Sequence, residues 1–128
     1  MEQEISQKDA LSIVICQESG ADMRIVSKVE QGIEEEQVPA YLISSSGNSM
    51  ELARIAADSS LLGIGVGVDK NGVVTICHFK MPVNRPVLQV SAQKNPSVGK
   101  IIGANAARLF KGIPFLKFEE AQNAVNNL

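Results

Sequence analysis

The sequence predicts a three-layer α/β domain built on a mixed five-stranded sheet with one antiparallel strand. Short runs rich in Ile and Val alternate with stretches of helical period over residues 11–68, the alternation that packs helices onto a sheet. An Asn71–Gly72 pair lies between two apolar runs and marks a hairpin. The connection KMPVNRP over residues 80–86 is too short for a parallel crossover, so the last strand reverses again.

Each element has a local reason. Residues 11–17 (LSIVICQ) form a continuous apolar run, as in a strand buried on both faces. From Asp22 to about Gln37 the period changes: Ile25, Val29 and Ile33 recur every fourth residue with Val26 beside them, one helical stripe. Asp22 suits its N-cap. Gly32 is expected to weaken this helix by roughly 0.5–1 kcal/mol relative to alanine. Pro39 disfavours helical geometry at Val38 and stops it. Residues 40–45 (AYLISS) follow as a strand. In the next helix Asn48 and Glu51 have the spacing of a capping box, and Leu52, Ile55 and Ala56 form the apolar side. LLGIGVGVD and VVTICHF are the two hairpin strands, and VLQVSA over residues 87–92 is the fifth strand. In the last helix Val98, Ile101, Ile102, Asn105 and Leu109 share a face. Lys111 near its end suits the dipole, Gly112 suits C′, and Pro114 prevents continuation. Residues 1–10 are polar and read as loose. Residues 11–118 form a single domain, and 119–128 a tail able to make a helical turn or two.

Composition removes several function classes. A chain of 128 residues with 45% hydrophobic content can bury a core without disulfides or metal. A net charge of −2 gives no electrostatic reason to bind nucleic acid or an anionic membrane. With no Trp, one Tyr and four Phe, a base-stacking platform is not expected. Cys16 and Cys77 sit in apolar runs and read as buried thiols in a reducing compartment. No apolar run approaches a membrane span, and the polar start lacks a signal-peptide pattern. The expected location is the cytoplasm.

The motifs are sparse. GIGVGV (residues 63–68) lacks the third glycine of a dinucleotide fingerprint, and a hairpin follows it rather than a helix. In a strand Gly63, Gly65 and Gly67 share one face, and a bare glycine face lets a helix approach closely; packing is the better reading. His78 follows Cys77 in a strand, so the two point to opposite faces and cannot share a metal. His78 therefore reads as structural. Asn105 lies within an apolar stripe and must find partners. A hydrogen bond to a strand end or loop is favoured over a subunit contact.

Glu34, Glu35 and Glu36 stand in a row at the end of the first long helix, where each exposed acid costs about 0.3–1 kcal/mol against the helix dipole. At roughly 100° per residue from Ile33, Glu34 flanks the stripe, Glu36 lies about 60° to the other side and Glu35 about 160° away. Glu35 is thus the carboxylate turned furthest from the core, the geometry of a ligand given to a partner. A solvated acidic face is the default reading of any such run.

GIEEEQVP (residues 32–39), ADSSLLGIGVGVD (57–69) and GANAARLFKGIPF (103–115) resemble the small subunit of diol and glycerol dehydratase reactivating factors. They occur in the same order over most of the chain, and the block from Asn105 to Phe115 is the most specific. The resemblance implies an anticodon-binding-domain-like fold, strand order 2-1-3-4-5 with the fourth strand antiparallel. It implies a non-catalytic subunit paired with a large actin-like ATPase subunit, commonly two of each. That complex releases damaged cobalamin from inactivated adenosylcobalamin-dependent diol or glycerol dehydratase, with the small subunit leaving so that the dehydratase medium subunit takes its place. Glu35, the middle acid, then completes a Mg site in the large subunit, which also binds ATP or ADP; the small chain has no cofactor of its own. A bacterial microcompartment becomes a possible location, and self-association a possible state of the chain alone. The rival expectations are a medium-subunit-like dehydratase component contacting cobalamin, and a free-standing RNA-binding module.

Overall fold

The five strands of the computed structural model are β1 (Ile13–Glu18), β2 (Ala40–Ser45), β3 (Ile64–Val68), β4 (Val73–His78) and β5 (Leu88–Ser91), ordered β2-β1-β3-β4-β5 in one sheet. The structure describes residues 5–82 and 84–118, so the expected tail over 119–128 lies outside them. β1 is parallel to β2 and β3; β4 is antiparallel to both β3 and β5. The helices are α1 (Gln7–Ala10), α2 (Met23–Glu35), α3 (Ser49–Ser59) and α4 (Val98–Lys111). The open α/β sheet and the strand order are those expected.

Period-two alternation divides the sheet between two helical layers. Ile13, Ile15, Ile64, Val66, Val68, Val74 and Ile76 face the layer made by α2 and α4. Val14, Cys16 and Ile43 face α3 through Leu52 and Ala56. On this second face β3 presents Gly65 and Gly67. A Cβ at Gly65 would collide with the Ala57 amide, and one at Gly67 with the Ser49 carbonyl. The glycine face therefore exists to let the α3 backbone lie on the strand, as the packing reading required. Gly63 does not share this role: it precedes the strand at φ +75, and a Cβ there would meet the Phe79 ring.

Two local details differ from the sequence pattern. The hairpin expected at Asn71–Gly72 forms, but not through the two-residue turn that such a pair favours. Asp69 N donates to Val73 O and Gly72 N to Asp69 O, both at 3.1 Å, leaving a three-residue loop with Gly72 at φ +82. Asp69 fixes that loop, its Oδ1 accepting from the amides of Asn71 and Val73 at 2.9 and 3.0 Å. Its Oδ2 accepts from Ser49 N, so the same carboxylate meets the start of α3, where the helix dipole favours negative charge. The second change is at the beginning of the chain. Residues 1–10, expected loose, contain α1, capped by Ser6. The turn is docked: Ala10 is buried, and its carbonyl accepts from Leu61 N at 2.8 Å.

Candidate functional site

α2 ends through a double backbone closure. Val38 N donates to Ile33 O and Gln37 N to Glu34 O, at 3.4 and 2.9 Å. This is the Schellman arrangement, with Gln37 rather than glycine at φ +64. Val38 and Ile33 join the same apolar core, the contact that usually accompanies such an ending. The helix thus stops before Pro39 is reached, and the acid run occupies its last turn and cap.

α4 lies against α2 at glycine distance. A Cβ at Gly32 would collide with the Lys100 carbonyl, and one at Gly103 with the Val29 carbonyl. This proximity brings three cations of α4 to the acids. Glu36 accepts from Lys111 Nζ at 2.8 Å and from Arg108 Nη2 and Nε at 3.3 Å. Lys111 also donates to the Glu36 carbonyl at 3.0 Å, answering a free carbonyl at the helix end. The Lys111 hydrogen bond and the nearby Arg108 charge hold the Glu36 carboxyl below its usual range, against the opposing effect of desolvation. Glu35 Oε2 lies 3.2 Å from Lys100 Nζ, with side chains 51% and 40% exposed. Glu34 is exposed and makes no ion pair among the described residues.

The expected outward position of Glu35 is therefore found, but the side chain is not solitary. The helical angle alone missed Lys100 because it considered α2 without its neighbour. Among the described residues no three His, Cys, Asp or Glu side chains converge to hold a metal. What Glu35 can offer is a single exposed hard-oxygen ligand to a cation held mainly by other groups.

The other singled-out residues are structural. Asn105 is buried and clasps one peptide unit: Oδ1 accepts from Leu116 N at 2.7 Å, and Nδ2 donates to Leu116 O at 3.1 Å. Arg108 Nη1 reaches Pro114 O at 3.2 Å. Together they return the chain after α4 along the helix end, the local backbone partnership expected of Asn105. His78 stacks on Phe79 with ring centroids 4.9 Å apart, and its Nδ1 accepts from Lys80 N. Burial, then the Lys80 charge, lowers its pKa. Cys77 packs with Ala53 and Ala57 of α3, a setting quite separate from the imidazole. Both thiols are buried and unpaired with each other.

An open mixed sheet ordered β2-β1-β3-β4-β5, with α2 and α4 on one face and α3 on the other, defines the structural class of the chain. The chain belongs to the dehydratase medium subunit family, whose model matches residues 12–116, and with the small subunits of dehydratase-reactivating factors. It is 30% identical over 94 residues to the probable glycerol dehydratase-reactivating factor small subunit of Citrobacter freundii, covering 72% of this chain and 80% of that one. It is 38% identical over 86 residues to the propanediol dehydratase-reactivating factor small subunit of the same organism, covering 66% and 72%. Among solved structures it resembles diol dehydratase-reactivating factor complexed with ADP and Mg2+, at TM-score 0.75 and 32% identity over 83% of this chain and 97% of that one. A glycerol dehydratase reactivase matches the fold at TM-score 0.79 and 24% identity, covering 84% and 97%.

Proposed function

We propose that this chain is the non-catalytic small subunit of a reactivating factor that, with a large actin-like ATPase subunit, frees inactivated adenosylcobalamin-dependent diol or glycerol dehydratase of damaged cobalamin. In this reading the small subunit leaves the large one, and the dehydratase medium subunit takes the vacated place. The observation that carries the partner contact is Glu35, an exposed carboxylate at the end of α2 held by one exposed ion pair. Such a group can be handed to a neighbouring chain at little cost, because exposed pairs contribute only ~0.2–1 kcal/mol. Glu36, clamped by two cations, cannot be released so cheaply. Glu35 would supply one carboxylate oxygen to a Mg ion held chiefly by the large subunit. That ion would supply a hard Lewis-acidic bridge between subunit and nucleotide site, making assembly respond to what occupies the ATPase. The setting is a reducing one, in the cytoplasm or a microcompartment, where Cys16 and Cys77 remain thiols.

The test is a titration of this chain with its large subunit, with ADP present and with Mg2+ or EDTA. Glu35→Gln should weaken assembly in Mg2+ by about tenfold or more, the loss of one charge-assisted contact of roughly 1.5 kcal/mol. Glu34→Gln should leave it unchanged. Equal affinity of the unaltered chain in Mg2+ and in EDTA would remove Glu35 from this role. The description of the matching family as a dehydratase medium subunit favours one second reading, a dehydratase component touching cobalamin itself. Mixing the chain with cobalamin distinguishes them: a change in the visible spectrum supports the second reading and its absence the first.

A further inference from the structure

We propose that Lys100 is an intrachain stand-in for the metal: it holds Glu35 while the subunit is free and must let go before that carboxylate can be donated. The inference rests on the reading of Glu35 given above. Its own grounds are geometric. The Lys100 carbonyl lies where a side chain at Gly32 would have to go, so the backbone of Lys100 is fixed against α2. The side chain then reaches Glu35 Oε2 at 3.2 Å. Each charge is opposed by its own helix: Glu35 is the last residue of α2, and Lys100 stands in the first turn of α4. A carboxylate is disfavoured at a C-terminus and an ammonium at an N-terminus. The pairing is the compensation available to both within the chain.

The two neighbouring acids show why Glu35 is the exchangeable one. Glu36 is only 17% exposed and bridges two cations. Glu34 has no ion pair among the described residues and so has nothing to exchange. Lys100 and Glu35 are both accessible to solvent, so the bond can open without unpacking the helices. An ammonium and a divalent cation cannot share one carboxylate at short range without repulsion. Metal coordination and the Lys100 bond therefore oppose each other, and Lys100 raises the threshold for assembly.

The experiment compares the unaltered chain, Lys100→Gln, Glu35→Gln and the double variant. Each is titrated calorimetrically with the large subunit in ADP plus Mg2+ and in ADP plus EDTA. Lys100→Gln should tighten assembly about two- to fivefold in Mg2+, the scale of an exposed ion pair, and leave it unchanged in EDTA. In the Glu35→Gln background the same change should do nothing. Urea midpoints of all four chains establish that the fold is retained. Assembly of Lys100→Gln at unaltered or weaker affinity in Mg2+, while Glu35→Gln still weakens it, overturns the Lys100 latch and leaves the Glu35 reading standing. No effect of Glu35→Gln overturns both.

Discussion

Gly32→Ala reverses sign between what a helix alone predicts and what the packed helices predict. In an isolated helix alanine gains roughly 0.5–1 kcal/mol over glycine. In the folded chain the new methyl would collide with the Lys100 carbonyl oxygen and lie 2.8 Å from Ala104 N and 2.9 Å from the Lys100 carbonyl carbon. These are backbone atoms of α4, not the ends of flexible side chains. Relief requires α2 and α4 to part by something over ~1 Å in a close-packed interior. Overpacking of this kind costs about 1–3 kcal/mol, and rigid neighbours place it near the upper end. The difference is a net loss of about 2 kcal/mol. Equilibrium urea unfolding, with a slope of ~2 kcal/mol per molar for a domain of this size, should show the midpoint falling by about 1 M at unchanged slope. A midpoint that rises would mean helix propensity outweighs the contact, and the close α2–α4 approach would be refuted.

Asn105→Ala removes both bonds to the Leu116 peptide and should cost about 1–3 kcal/mol; limited proteolysis should cut faster over residues 112–118, and unchanged cleavage would deny the clasp. The lowered pKa of Glu36 has a definite sign. The folded state binds its proton less readily than the unfolded state, so this stabilisation is complete above the ordinary carboxyl range and lost as pH falls through the lowered value. Glu36→Gln should therefore lose about 1.5–3 kcal/mol at neutral pH, the scale of a shielded charge-assisted hydrogen bond, and show a flatter acid limb in urea midpoints against pH. Identical limbs would show that the Lys111 and Arg108 pairs contribute nothing.

Strand directions were legible because they depend on local signals: β-branched runs, one hairpin and one short connection. The capping box was equally local, and Asn48 and Glu51 exchange both of its hydrogen bonds. What stayed hidden depends on neighbours distant in the chain. Gly32 carried a propensity cost in the sequence, while its purpose, admitting the Lys100 carbonyl, needs the placement of α4. The Glu36 pairs join residues 72 and 75 positions apart, beyond any periodic pattern. α1 was missed because its exposed polar residues outweigh the single buried Ala10. The outward direction of Glu35 could be read from one helix, and its partner could not.

The row of acids at the end of α2 looks, on sequence, like charge awaiting an external cation. The packed chain weakens that motive, since Lys100, Arg108 and Lys111 already answer Glu35 and Glu36. Unmet charge therefore cannot be what singles out Glu35. Exchangeability can. Glu36 joins two helices through shielded, multiply bonded contacts, and opening them would loosen the α2–α4 end. Glu35 and Lys100 face water, where their bond is weak and reversible. An acid that holds a fold and an acid lent across an interface, as proposed for Glu35, need opposite properties; α4 covers Glu36 and leaves Glu35 half open.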